Sequence, residues 1–174
     1  KILWAATRAP SGGNRQGWRW LVVTDPEKKR KIRDWYHELW SKALEGGYGA
    51  GANLPPDEKA SNERVMKSAT YLSEHMHEAP ALIFACSLTG NGDITSGSSI
   101  YPAVQNLMLA ARALGLGTAL TTVHRGRQKE ISELFGIPES VETAALIPVG
   151  WPKGKFGSGF RKPVEDVTYW EQWG

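Results

Sequence analysis

The sequence is short of several things, and each shortage excludes a class of protein. It holds one cysteine, Cys86, in 174 residues. That excludes an intrachain disulfide framework and a cysteine-based zinc site. No stretch approaches ~20 uncharged apolar residues, so no membrane-spanning helix is expected. The formal net charge is only +3, far from the dense Lys/Arg loading of a dedicated nucleic-acid binder. There are no internal repeats. No G-x-x-x-x-G-K-[ST], no G-x-S-x-G and no H-E-x-x-H occurs, so the sequence offers no phosphate-binding P-loop, nucleophile elbow or zincin helix.

What the sequence does have is a core and many rings. It is 41% hydrophobic and 22% charged, with eight tryptophans. These proportions suit a folded domain that buries large apolar contacts at an interface or around a flat ligand. Residues 1–174 are read as one domain. The chain opens on Lys1-Ile2-Leu3-Trp4-Ala5-Ala6, a helical pattern already under way and without a cap. We therefore expect an N-terminal segment to precede Lys1 in the natural protein. No export pattern is visible, and a cytoplasmic location is expected on that ground.

Along the chain, residues 1–9 read as the end of a helix, and 10–17 as a polar loop. Trp18 to Thr24 reads as a strand. A helix then runs from Asp25-Pro26, an N-cap followed by proline at the first helical position, to about Leu44. Residues 45–60 read as a long Gly/Pro-rich loop, and about 61 to 77 as a second helix. Ala81 to Leu88 is a nearly continuous apolar strand, the pattern of a sheet covered on both faces. Thr89 to Gly97 reads as a turn-rich link. Ser98 to Leu114 is a helix apolar around most of its circumference, expected to be central and buried, with Gly115 as its C-cap. Thr118 to Val123 is β-prone, 127–135 a short helix, and Val141 to Val149 a strand. A basic, glycine-rich loop (153–162) leads to an extended aromatic tail, Val164 to Trp173. Helices outnumber strands and do not alternate strictly with them, which argues for an α+β fold. The tail has no core of its own and is expected to dock on a partner subunit.

Several tempting features have plainer readings. Lys28-Lys29-Arg30-Lys31 starts an amphipathic helix beside Glu27 and Asp34, so a solvated face is favoured over nucleic-acid binding. His75 and His77 are two apart and lack the spacing of a helical metal pair; Glu74 and Glu78 are expected to make surface pairs, and no metal site is expected. His124 reads as a polar loop residue. Cys86 lies in an apolar strand, where inert packing is expected. Gly157-Ser158-Gly159 opens no helix and is no dinucleotide fingerprint.

Three segments share one possible purpose. Pro10 to Gln16 offers small residues, amides and exposed backbone N–H groups. Thr118 to Thr122 offers backbone donors and a thin apolar surface. Arg161-Lys162 offers fixed charge beside glycines. Together they suit a flat heteroaromatic ring with a phosphate tail; apart they are three ordinary polar loops.

Pro10-Ser11-Gly12-Gly13-Asn14-Arg15-Gln16-Gly17-Trp18-Arg19-Trp20-Leu21-Val22-Val23 resembles the P-S-x-x-N-x-Q-P-W-x-F-x-V-V signature of the FMN-dependent nitroreductase family. Asn106 to Thr118 resembles that family's N-L-x-L-A-A-x-x-L-G-L-G-[ST] helix. Val149-Gly150-Trp151-Pro152 with Arg161-Lys162-Pro163-Val164-Glu165-Asp166-Val167 is similar to its V-G-Y-P … [KR]-x-P-[LVI]-x-[ED]-[VI] ending. The resemblance implies an α+β fold with a mixed sheet flanked by helices. It implies a homodimer with FMN at the interface, NAD(P)H as electron donor, and a C-terminal arm reaching onto the partner. Pro10, Ser11, Gly12 and Asn14 would meet the flavin from one subunit, with Gln16 supporting their loop. Ser99, Leu120, Thr121, Thr122 and Val123 would line it from the other, and Arg161 would hold the phosphate. Trp40 and Tyr48 would belong to a substrate lid. The implied activity is ping-pong reduction of nitroaromatics, quinones or similar acceptors. Reductive dehalogenation, ene reduction and flavin fragmentation on the same scaffold, and a non-catalytic basic module, are the alternatives. The family's R-R-S-x-R-x-[FY] segment would fall upstream of Lys1, Gly17 replaces its proline, and Gly159 replaces one basic residue near the phosphate.

Overall fold

The computed structural model describes residues 1–50, 54–88, 94–154, 156–157 and 159–173. In chain order the elements are α1 (Ile2–Ala6), β1 (Trp18–Val23), α2 (Pro26–Glu45), α3 (Pro56–His75), β2 (Ala81–Ser87), α4 (Ile94–Ala113), β3 (Gly117–Thr118), α5 (Gln128–Phe135) and β4 (Glu142–Gly150). Single 3-10 turns occur at Gly12–Asn14, Met76–Glu78, Val123–Arg127 and Val164–Val167. None of the described helices is long and apolar enough to cross a membrane.

The sheet has the order β1-β2-β4-β3, and each described pairing is antiparallel. The α+β class holds, but the expected mixed sheet is corrected to an antiparallel one among the described residues. β2 explains the two-layer construction. Leu82, Phe84 and Cys86 join Ile32, Tyr36, Trp40 and Ile131 on one face. Ile83 and Ala85 join Ala6, Ile100, Ala103, Val104 and Leu107 on the other. Side chains alternate across a strand, so a strand that is apolar from Ala81 to Cys86 feeds two cores at once. The register slips between Ala85 and Cys86, which pair with Ala145 and Thr143. Ala144 is thus the extra residue of a bulge, and its carbonyl accepts from Tyr101 Oη at 3.2 Å.

Helix ends follow the sequence chemistry. Asp25 accepts from the Lys28 backbone N–H at 2.8 Å, and Pro26 begins α2. Gly115, at φ +81°, turns the chain out of α4, and Leu116 N–H closes back on the Ala111 carbonyl at 2.9 Å.

Five expectations on local structure are corrected. The loop read over 45–60 is shorter, because Pro55 is extended and Pro56 occupies the first helical turn of α3. The link read as Thr89 to Gly97 gives way to α4 at Ile94; residues 89–93 lie outside the described residues. The β-prone run Thr118 to Val123 is a two-residue strand, an isolated bridge at Thr121 and a 3-10 turn. α4 is not buried all round, since Leu109 is 58% exposed and Tyr101 37%. The tail is not simply extended: it starts with a 3-10 turn, Tyr169 and Trp173 pack ring to ring at 4.5 Å, and Trp170 is exposed.

Candidate functional site

The loop after α1 is held in an unusual shape by its own polar atoms. Gly13, Asn14 and Gln16 have φ of +58°, +52° and +50°. Two of these are not glycine, and left-handed backbone at such residues costs about 1 kcal/mol or more each. What holds them there is local. Ser11 Oγ accepts from the Gln16 backbone N–H at 3.0 Å, and Gln16 Nε2 donates to Asn14 Oδ1 at 3.2 Å. Ser99, from α4, accepts from Gly12 N–H at 3.1 Å. Gln16 thus ties its own backbone and side chain to Ser11 and Asn14. Ser99 lies with this loop in the same chain, not with Leu120–Val123. Pro10 is exposed just before the turn. A cleft of about 390 Å³ opens beside it, with Ser11, Gly12 and Arg15 on one wall and Ser98 and Ser99 on the other.

A second and larger cavity, about 980 Å³, lies elsewhere on the chain. Its floor is Leu120 to Val123. Its walls include Tyr36 and Trp40 of α2, Tyr48, and the Asn62–Leu72 part of α3. The floor is fixed by Thr121, whose N–H and C=O both pair with Leu146, at 3.0 and 2.9 Å. Thr121 N–H is thus committed to the sheet and is no free donor for a ligand, which corrects that part of the reading. Its hydroxyl receives Val123 N–H at 3.4 Å and meets Tyr36 Oη at 2.8 Å. Leu120 is 41% exposed on the open side.

The lid residues divide. Trp40 is buried, donates its ring N–H to Thr70 Oγ1 at 3.1 Å, and forms a wall. Tyr48 is exposed and stands edge-on to Trp40 at 5.6 Å. Gly159 lines the same cavity, and Arg161 Nη1 lies 3.1 Å from where a Cβ on Gly159 would sit. The Arg161 guanidinium donates to the Phe160 carbonyl at 2.7 Å and is otherwise exposed. The two cavities share no lining residue. The predicted site residues are therefore brought together as two groups: Ser11, Gly12, Asn14, Gln16 and Ser99 in one, and Leu120, Thr121, Thr122, Val123, Trp40, Tyr48 and Arg161 in the other.

Beneath the second group is a polar network that the sequence did not announce. His124 is 2% exposed, and its Nε2 lies 3.2 Å from the Thr143 carbonyl and 3.1 Å from Thr143 Oγ1. Thr143 Oγ1 donates to Gln128 Oε1, which also accepts Thr143 N–H at 3.2 Å. Burial pushes His124 down to about 4, with the Arg125 charge adding to the effect against the bond to Thr143. The imidazole is neutral at pH 7. Tyr36 was legible only as part of an apolar stripe; burial pushes its phenol above the ordinary range. A histidine directly after the β-prone Thr121-Thr122-Val123 run was the available signal for the network.

The solvated face expected for Lys28–Lys31 is corrected at Lys29, whose ammonium turns inward. Lys28 and Lys31 lie over the rings of Phe135 and Trp35, Arg30 pairs with Glu27, and buried Lys29 donates to the Ala79 carbonyl at 2.6 Å. His75 pairs with Glu78 at 2.8 Å and approaches Glu74 at 3.8 Å. Burial pushes the Cys86 thiol up to about 11.

Sequence comparison now decides the family: the profile of the Nitroreductase family matches residues 1–151. The chain belongs to the nitroreductase family. Among curated proteins, this nitroreductase-family chain is 31% identical over 155 residues to a putative NADH dehydrogenase/NAD(P)H nitroreductase of Archaeoglobus fulgidus, covering 88% of this chain and 71% of that one. It is 29% identical over 147 residues to an iodotyrosine deiodinase of Thermotoga neapolitana, covering 84% and 72%. Among solved structures it is similar to oxidized iodotyrosine deiodinase bound to FMN and 3-iodo-L-tyrosine, with TM-score 0.75, 26% identity, and 99% and 85% of the two chains covered. A nitroreductase with bound FMN from Desulfitobacterium hafniense shares the fold at TM-score 0.69 and 23% identity, covering 98% and 84%.

Proposed function

We propose that this nitroreductase-family protein is an FMN-dependent oxidoreductase that takes electrons from NAD(P)H and passes them, in a ping-pong cycle, to a nitroaromatic, a quinone or a similar acceptor. The observation that carries the reading is the division of the site. One chain bears a strained, hydroxyl-lined loop and, in a separate cavity, an extended floor with an arginine at its edge. A slot closed by both groups takes one from each of two copies. The exposed Leu109 on α4 and the exposed aromatic tail supply apolar surface for such a homodimer.

The residues fit the cofactor. The strain in Gly13–Gln16 needs a purpose, and presenting Ser11, Gly12 and Asn14 to a polar ring edge is one. Leu120 and Thr122, exposed on a floor pinned to β4, offer a thin flat surface to a ring face. Arg161 lies over Gly159, where a side chain would crowd it, and presents a fixed charge to a phosphate. Bound there, FMN would supply two-electron chemistry that no side chain of this protein can perform. The protein's own part is to hold and orient. Ser11, Ser99 and Gln16 keep the loop in shape. Thr121, locked by Leu146 and Tyr36, keeps the floor rigid. Trp40 and Tyr48 exclude water from the space above it.

The test is anaerobic stopped flow on FMN-loaded protein. Bleaching of the yellow absorbance by NADH or NADPH, followed by recovery on adding a nitroaromatic, is expected. No bleaching with either nucleotide refutes the reading. The similarity to iodotyrosine deiodinases favours one second reading, reductive dehalogenation. Halide release from an iodophenol, with no nitroaromatic turnover, would select it.

A further inference from the structure

We propose that the α2–α3 cavity selects aromatic acceptors that carry an anionic substituent, and that Arg64 is the residue that selects them. The inference rests on the oxidoreductase reading and names the substrate class of that site. Tyr36, Trp40 and Tyr48 give the cavity aromatic walls, which suit a flat apolar ring. Its charge is one-sided. Among the described lining residues there is no Asp or Glu, and Arg64 stands at the rim.

Arg64 has no acidic neighbour where a helix would provide one. Ala60 and Ser61 precede it by four and three residues; Lys67 and Ser68 follow at the same spacings. Other arginines of the chain are neutralised: Arg30 by Glu27, Arg125 by Glu142, and Arg127 by Glu38 and Glu130. Arg161, beside the cavity-lining Gly159, is assigned to the cofactor phosphate. Arg64 is therefore the charge left for an acceptor.

The wall that carries it is built to stay in place. Asn62 Nδ2 donates to the Gly49 carbonyl at 2.8 Å, tying α3 to the turn that follows α2. Gly49 has φ +77°, and Met66 packs so close that a Cβ there would overlap its sulfur. A permanent cation beside aromatic walls favours carboxylate- or phenolate-bearing rings over neutral ones, and penalises cationic ones.

The test uses FMN-loaded protein and three ligands of similar shape: 4-nitrobenzoate, 4-nitrobenzamide and 4-nitrobenzylamine. Binding is read by tryptophan fluorescence and turnover by kcat/KM. The benzoate is expected to bind about tenfold more tightly than the amide at low salt, and the amine more weakly than either. Raising salt to ~0.5 M should shrink the ratio, because an exposed charge is screened. Arg64→Gln should bring benzoate and amide to within about twofold of each other, and Arg64→Lys should restore most of the preference. Equal affinities in the wild type, or a ratio unchanged in Arg64→Gln, overturn the proposal. So does a ratio that collapses in Arg161→Gln but not in Arg64→Gln. Failure of the flavin to bleach would refute the oxidoreductase reading alone, because the binding ratios are read without turnover.

Discussion

Acidification should destabilise this protein well before its carboxylates are titrated, and His124 is the reason. An imidazole in the unfolded chain takes up a proton near pH 6.5. In the folded chain, burial holds His124 down to about 4. Between those values the unfolded state binds more protons, so stability falls as pH falls. The contribution is fully present above pH 6.5 and fully lost below pH 4. The gap, at 1.36 kcal/mol per pH unit, amounts to about 3 kcal/mol. That is a large share of the 5–15 kcal/mol typical of a domain. Glu38, Glu78 and Glu130 are held below the ordinary carboxylate range by their hydrogen-bonded partners Lys42, His75 and Arg127. Their losses begin only near and below pH 4.5, so the His124 window is separate. Urea midpoints by tryptophan fluorescence, taken from pH 8 to 4.5, should fall steeply below 6.5. His124→Gln keeps an amide donor toward Thr143 and cannot titrate; its midpoint should be nearly flat over that range. A wild-type midpoint that is flat from pH 6.5 to 4.5, or an equal slope in the variant, would refute the argument.

Three further outcomes follow from packing and hydrogen bonding. Phe84 is fully buried, with ring contacts to His124 at 5.4 Å and Phe135 at 5.8 Å; Phe84→Ala should lower unfolding free energy by about 3–5 kcal/mol in urea titrations. Tyr36→Phe removes the 2.8 Å bond to Thr121 and should cost about 1 kcal/mol. A double-mutant cycle with Thr121→Val should then show coupling, and strict additivity would deny that the bond forms. Cys86 is 3% exposed with a thiol pushed up to about 11, so a thiol reagent at pH 8 should label it only after denaturation.

Much of the fold was legible in local patterns. Asp25-Pro26 marked the start of α2, Gly115 the end of α4, and the nearly continuous apolar run of Ala81 to Leu88 a strand in a sheet covered on both faces. Errors fell where competing local signals had similar strength. Pro55-Pro56 looks like a loop until one proline is counted as a helix start. Thr118 to Val123 has strand composition, yet only Gly117–Thr118 and Thr121 find partners on β4, and the chain then coils into a 3-10 turn.

The loop motif, the apolar helix and the order of the segments are properties of residues in sequence, and they determined the α+β class and the family. Which polar atoms meet is a matter of distance, and only the tertiary structure decided it. Folding brought Ser99 to Gly12 across 87 positions and Tyr36 to Thr121 across 85. It also sealed His124 under Phe84 and set Arg64 on a cavity whose described lining holds no Asp or Glu. Burial and Coulomb fields depend on neighbours distant in sequence, so no local pattern could have carried them.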